Sequence, residues 1–130
     1  MKSYPDKILI ACNDMTLAYN LSRRLLSQEK ETVVVFNGKE VIEVLEAQPG
    51  ITSMIIDAEL PGMNTWSILD LCYDGYDGFN HIRSVVVGSR NSSFDSALRA
   101  WTKNSRVFYV DGPFAYDKAI DILLNEREMN

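Results

Sequence analysis

The sequence predicts an α/β domain, a doubly wound five-stranded parallel sheet with helices on both faces. Three observations predict it. Short apolar, β-branched runs alternate five times with helical patterns along the chain, the order that builds a parallel sheet through crossover helices. One run, Met54-Ile55-Ile56, stops at the single carboxylate Asp57 and is followed by Leu60-Pro61-Gly62-Met63, the pattern of a buried strand ending in a turn. Phe94, Ala97, Leu98 and Trp101 fall at i, i+3, i+4 and i+7, the cleanest amphipathic helix signal in the chain.

The elements follow in order. Lys7 to Ala11 reads as a first strand, and Thr16 to Gln28 as a helix with Leu17, Leu21 and Leu25 on one stripe and Asp14 as its N-cap. Thr32 to Phe36 is a second strand, β-branched through its first four residues. Asn37-Gly38 turns the chain into a helix over Lys39 to Gln48, with Val41, Val44, Leu45 and Gln48 inward. Ile51 to Asp57 is the third strand, and Thr65 to about Tyr73 the next helix, with Ile68, Leu71 and Cys72 inward. Asp74 to Gly78 breaks that helix, and Ile82 to Gly88 carries the fourth strand. Val107 to Asp111 is the fifth strand, closed by Gly112-Pro113. Ala115 to about Glu126 is the last helix, with Ala119, Ile120, Leu123 and Leu124 inward.

Length and composition narrow the function classes. At 130 residues the chain, 1–130, is expected to be a single domain. A hydrophobic content of 46% and charged content of 24% are those of a soluble globular protein. The net charge of −5, with no basic cluster beyond Arg23-Arg24, argues against nucleic acid, which needs a cationic face. Met1 to Asp6 lacks a signal peptide's apolar stretch and no run approaches a membrane span, so no membrane contact and a cytoplasmic location are expected. Cys12 and Cys72 fit no metal or redox spacing and are read as reduced thiols. Ala11-Cys12-Asn13-Asp14-Met15 contains no glycine, which disfavours a nucleotide-binding phosphate loop after the first strand.

In open α/β sheets ligands gather at the carboxyl ends of the strands, so Asp57 is the candidate site residue. With Leu60-Pro61-Gly62-Met63 after it, Asn37-Gly38 before the second helix, Ser89 after the fourth strand, Tyr109 in the fifth and Pro113-Phe114 beyond, the chain resembles the receiver domain of two-component response regulators, most closely the single-domain chemotaxis type. The resemblance covers nearly the whole chain. It implies a flavodoxin-like fold with sheet order 2-1-3-4-5, a signalling role in a phosphorelay and no enzymatic output. It further implies that Asp57 accepts a phosphoryl group from a histidine kinase with Mg²⁺ beside it, that Ser89 is the switch hydroxyl and Tyr109 the switch aromatic, and that the peptide before Pro113 is cis.

Two elements depart from the family pattern. Its metal-binding pair of acids maps onto Cys12-Asn13, and its phosphate-binding lysine maps onto Gly112. Mg²⁺ requires hard oxygen ligands, and phosphoryl transfer depends on neutralising oxygen charge rather than on covalent work by the protein. Asp57, Asn13 and Glu59 are therefore the metal candidates, with weak or absent Mg²⁺ binding expected and no other cofactor. Asp14 at the rim, Glu59 two residues past Asp57, and Arg90 beside Ser89 are the neighbours that could compensate, Arg90 by pairing with Asp57.

A single Asp at a strand end can also be a turn residue, Tyr109 ordinary strand packing, and His81 a structural histidine. Cys12, close to acids, is expected to be an inert thiol with a raised pKa. Trp101, Tyr109 and Tyr116 in the last third mark the face expected to meet a protein partner. The departures favour an atypical, pseudo-receiver interaction module. The alternative is a functional phosphoacceptor charged on Asp57.

Overall fold

The computed structural model describes residues 7–75, 79, 81–88, 106–112 and 114–126. Five parallel strands form its centre: β1 (Lys7–Ala11), β2 (Glu31–Val35), β3 (Ile51–Asp57), β4 (Arg83–Val87) and β5 (Val107–Val110). They lie in the order β2-β1-β3-β4-β5, so β3 is flanked on both sides, and Ser53 to Ile56 pair with both neighbours. The register sets Ala11 beside Ile56 and Asp57 beside Val87, bringing the carboxyl ends of β1, β3 and β4 together.

Side chains on each strand alternate between two cores, as the pleat requires. Leu9, Ala11, Met54, Ile56 and Val86 pack on one face under α2 (Gly38–Ala47) and α3 (Thr65–Asp70), with Val41, Leu45, Ile68 and Leu69 as the helical partners. Ile8, Ile10, Ile55, Val85 and Val87 pack on the other face under α1 (Met15–Leu26) and α4 (Ala115–Glu126), with Ala18, Leu21, Leu25, Ala119, Ile120 and Leu123. Asp57, two residues after Ile55, therefore projects toward the α1 and α4 side.

The helix starts agree with the sequence signals. Asp14 caps α1, its Oδ1 accepting from Leu17 N at 3.0 Å. Asn37 caps α2 by accepting from Glu40 N at 2.9 Å, while Glu40 Oε1 accepts from Phe36 N at 3.1 Å, a reciprocal cap. The helix expected over Thr65 to about Tyr73 forms in two parts, an α-helix to Asp70 and a wider π turn, Leu71–Gly75. The Tyr73 hydroxyl anchors that turn by bonding the Ile82 carbonyl and lying 2.8 Å from Ser84 Oγ at the start of β4. A tertiary anchor of this kind leaves no trace in helical periodicity. The helix expected over Phe94 to Trp101 and the Gly112–Pro113 peptide lie outside the described residues.

Gly38 is fixed by packing. Its N–H donates to Pro61 O at 2.9 Å, and a Cβ there would overlap the Met63 carbonyl. The start of α2 thus presses on the Leu60-Pro61-Gly62-Met63 turn and holds the loop after Asp57. Gly38→Ala should lower stability by about 2–3 kcal/mol, the overlap outweighing alanine's better helix propensity, measured as a lower urea midpoint at unchanged m value.

Candidate functional site

Asp57 is half-buried at the end of β3, between the loop after β1 and the first turn of α4. Its Oδ2 accepts from the backbone N–H of Asn13 at 3.0 Å. Its Oδ1 accepts from the hydroxyl of Tyr116. The same hydroxyl lies 3.6 Å from Cys12 Sγ, so thiol, phenol and carboxylate form one contiguous group. Cys12 is 1% exposed and is folded against Asp14, whose N–H and C=O both lie 3.5 Å from the sulfur. Behind the site Thr65 Oγ1, fully buried, donates to the Asp57 carbonyl at 2.6 Å and ties the start of α3 to the strand end.

Burial is the main cause that raises the Asp57 carboxyl above its ordinary range; the hydrogen bonds from Asn13 and Cys12 oppose it, and the charges of Asp14 and Glu59 add to it. The Cys12 thiol is pushed up to about 12, first by burial and only secondarily by the neighbouring acids. The raised thiol agrees with the sequence expectation, but its principal cause is desolvation rather than charge. Cys72 is likewise pushed to about 12 by burial beneath α3.

The other expected residues are distributed unevenly. Asn13 is exposed, and it is its backbone N–H that reaches Asp57. Asp14 is committed to capping α1, and Glu59 is exposed at the rim. Tyr109 packs over Gly88, where an added Cβ would collide with the ring, and its hydroxyl donates to Asp111 Oδ2 at 3.2 Å. Gly112 adopts φ +95, in the left-handed region that glycine accepts and lysine resists, so the backbone itself disfavours the family's lysine at this position. A cation does come close: Lys118 Nζ would lie 3.8 Å from a Cβ on Gly112, but it donates to the Asp111 carbonyl at 3.2 Å. Ser89, Arg90 and Trp101 lie outside the described residues.

Tyr116 is the member of the site that the sequence reading did not place there. A signal for it existed. Tyr116 extends the inner stripe of Ala119, Ile120 and Leu123 by one turn, at the end of α4 nearest the strand termini.

The donor set does not fit Mg²⁺. Both Asp57 oxygens already accept hydrogen bonds, Cys12 offers sulfur to a hard cation, and Asn13 offers an amide where a carboxylate would carry charge. Among the described residues, no three His, Cys, Asp or Glu side chains are grouped to hold a metal.

No protein-family model matches the chain, and no curated protein matches it by sequence. Its fold is found in solved structures. A Francisella response-regulator receiver domain is 19% identical with a TM-score of 0.74, the match covering 95% of this chain and 98% of that one. A CheY-like response-regulator receiver domain from Methanospirillum hungatei is 14% identical with a TM-score of 0.77, covering 97% and 96%. A chemotaxis response regulator of Vibrio cholerae is 12% identical with a TM-score of 0.76, covering 94% and 98%. The chain has the response-regulator receiver fold, including the strand order that its sequence resemblance implied.

Two measurements follow from the electrostatics. Folding raises the Asp57 pKa, so the folded protein holds this proton more tightly than the unfolded chain, and the stability the group contributes is present at low pH and lost as pH rises through the folded pKa. Asp57→Asn should therefore raise Tm at pH 7, and the gain should shrink toward pH 4. Native Cys12 and Cys72, buried with thiols near pKa 12, should react with Ellman's reagent at least about a hundredfold more slowly at pH 8 than in the denatured chain.

Proposed function

We propose that residues 1–130 form one receiver-like signalling domain of two-component type, acting as a pseudo-receiver: a protein-interaction module in which Mg²⁺-dependent phosphorylation of Asp57 is impaired. The observation that carries this reading is the occupancy of the acid. One Asp57 oxygen accepts from the Asn13 backbone and the other from the Tyr116 hydroxyl, with the Cys12 sulfur where the family has a carboxylate.

Phosphorylation would require an Asp57 oxygen to offer a lone pair to phosphorus while the donor's P–N or P–O bond breaks and its electrons leave with the donor. The new phosphoryl oxygens would then need cationic neutralisation. In this site each carboxylate oxygen already accepts a hydrogen bond, Gly112 supplies no charge, and Lys118 is turned to a backbone carbonyl. Among the described residues no helix is long and apolar enough to cross a membrane, which accords with a cytoplasmic partner-binding role.

The partner is proposed to be a protein docking on the face around Trp101, Tyr109 and the head of α4. Phe114, 66% exposed there, supports an apolar contact. Tyr116 was expected on that face, but its hydroxyl is turned inward to Asp57. The second reading, a working phosphoacceptor served by a histidine kinase, draws support from the position of Asp57 at the carboxyl end of β3.

Incubation with Mg²⁺ and acetyl phosphate separates the two. The pseudo-receiver reading expects intact-protein mass spectra of wild type and Asp57→Ala to show no phosphoryl adduct in either. A stoichiometric adduct on wild type that Asp57→Ala abolishes would establish the phosphoacceptor instead.

A further inference from the structure

We propose that the Tyr116 hydroxyl is a built-in stopper of the acidic site, an internal hydrogen-bond donor that takes the place at Asp57 of a divalent cation or phosphoryl group. This inference rests on the pseudo-receiver reading and names the residue that enforces it.

The geometry points to a stopper rather than to incidental packing. The phenol comes from α4 and the Asn13 N–H from the loop after β1, so each carboxylate oxygen is held by a different element. The hydroxyl donates to Oδ1 and so stands at one of the two carboxylate oxygens that a cation or an incoming phosphorus would use. Its oxygen also contacts Cys12 Sγ at 3.6 Å, so it fills the space between the acid and the thiol that replaces a metal ligand.

The first turn of α4 is held in place by contacts in other directions. Ala115 is buried, and its N–H donates to Gly112 O at 3.2 Å. Arg24 of α1 pairs with Asp117 at 2.6 Å, an exposed contact that orients the turn more than it stabilises it. Lys118 Nζ reaches back to Asp111 O at 3.2 Å. Three consecutive residues, Tyr116, Asp117 and Lys118, thus point to β3, to α1 and to the loop after β5. The phenol cannot leave the carboxylate by a simple rotamer change without losing a hydrogen bond inside a partly dehydrated site, where unpaired polar groups are costly.

The stopper is distinct from the loss of metal ligands, and the two can be separated. Asn13 is exposed, so Asn13→Asp restores a carboxylate at the metal position with little structural risk. Tyr116→Phe removes one oxygen and keeps the ring. The experiment is a Mn²⁺ titration of Asn13→Asp and of Asn13→Asp/Tyr116→Phe, with free Mn²⁺ read by electron paramagnetic resonance. The double variant is expected to bind Mn²⁺ at least tenfold more tightly than Asn13→Asp alone. Equal affinities would overturn the stopper while leaving the pseudo-receiver reading intact, because ligand loss alone would then account for the site.

A phosphoryl adduct on wild type, seen by mass, would overturn both together. If the double variant does not fold, the same Mn²⁺ titration compares wild type with Tyr116→Phe. Tighter binding by Tyr116→Phe is expected, and equal, measurable affinities would overturn the stopper.

Discussion

The partial burial of one carboxylate constrains everything around it. β3 is the central strand, paired on both edges and covered on both faces, and it ends in Asp57 before the chain has returned to full solvent. A charge in that position needs hydrogen-bond donors, because water reaches it only in part. The fold supplies two, the Asn13 N–H from the loop after β1 and the Tyr116 hydroxyl from α4. A third bond, from Thr65 to the Asp57 carbonyl, fixes the backbone of the same residue. The starts of α1, α3 and α4 are thereby gathered around one strand end, and their placement and the satisfaction of the acid are the same problem.

Charge around this residue is unbalanced in a consistent direction. Asp14 and Glu59 add negative potential to an acid already raised by burial. The cations described nearby serve other partners: Arg24 is engaged with Asp117, and Lys118 with the Asp111 carbonyl. Gly112, at φ +95, adds no charge to the loop after β5. A neutral donor such as tyrosine suits these surroundings. It stabilises the carboxylate without the desolvation that a second buried charge would incur.

The loop after Asp57 is held by backbone contact rather than by side-chain chemistry. Gly38 approaches the Met63 carbonyl so closely that only glycine fits, and its N–H bonds the Pro61 carbonyl. α2 therefore braces the turn on the far side of the sheet from Tyr116, while α4 closes the near side. The site is clamped by helices from both layers, although its chemistry faces only one of them.

The sequence by itself determined the layered fold. Period-two and period-3.6 patterning are local properties of neighbouring residues, so β1, β3 and α4 were readable at their observed bounds, and Asp14 was readable as a cap. It also determined that an acid would stand at the end of β3 with a thiol and an amide where acids are expected, since those identities need only the order of the chain. What it could not give was the partner of that acid. Tyr116 lies 59 residues from Asp57 in sequence, and its aromatic ring has the same periodicity whether it joins the core, an outer face or the site. The π turn after α3 and the left-handed backbone at Gly112 were hidden for the same reason. Each is decided by contacts between elements, the Tyr73 anchor on β4 in one case and the close approach of α4 to β5 in the other, and such contacts exist only once the sheet has brought the elements together.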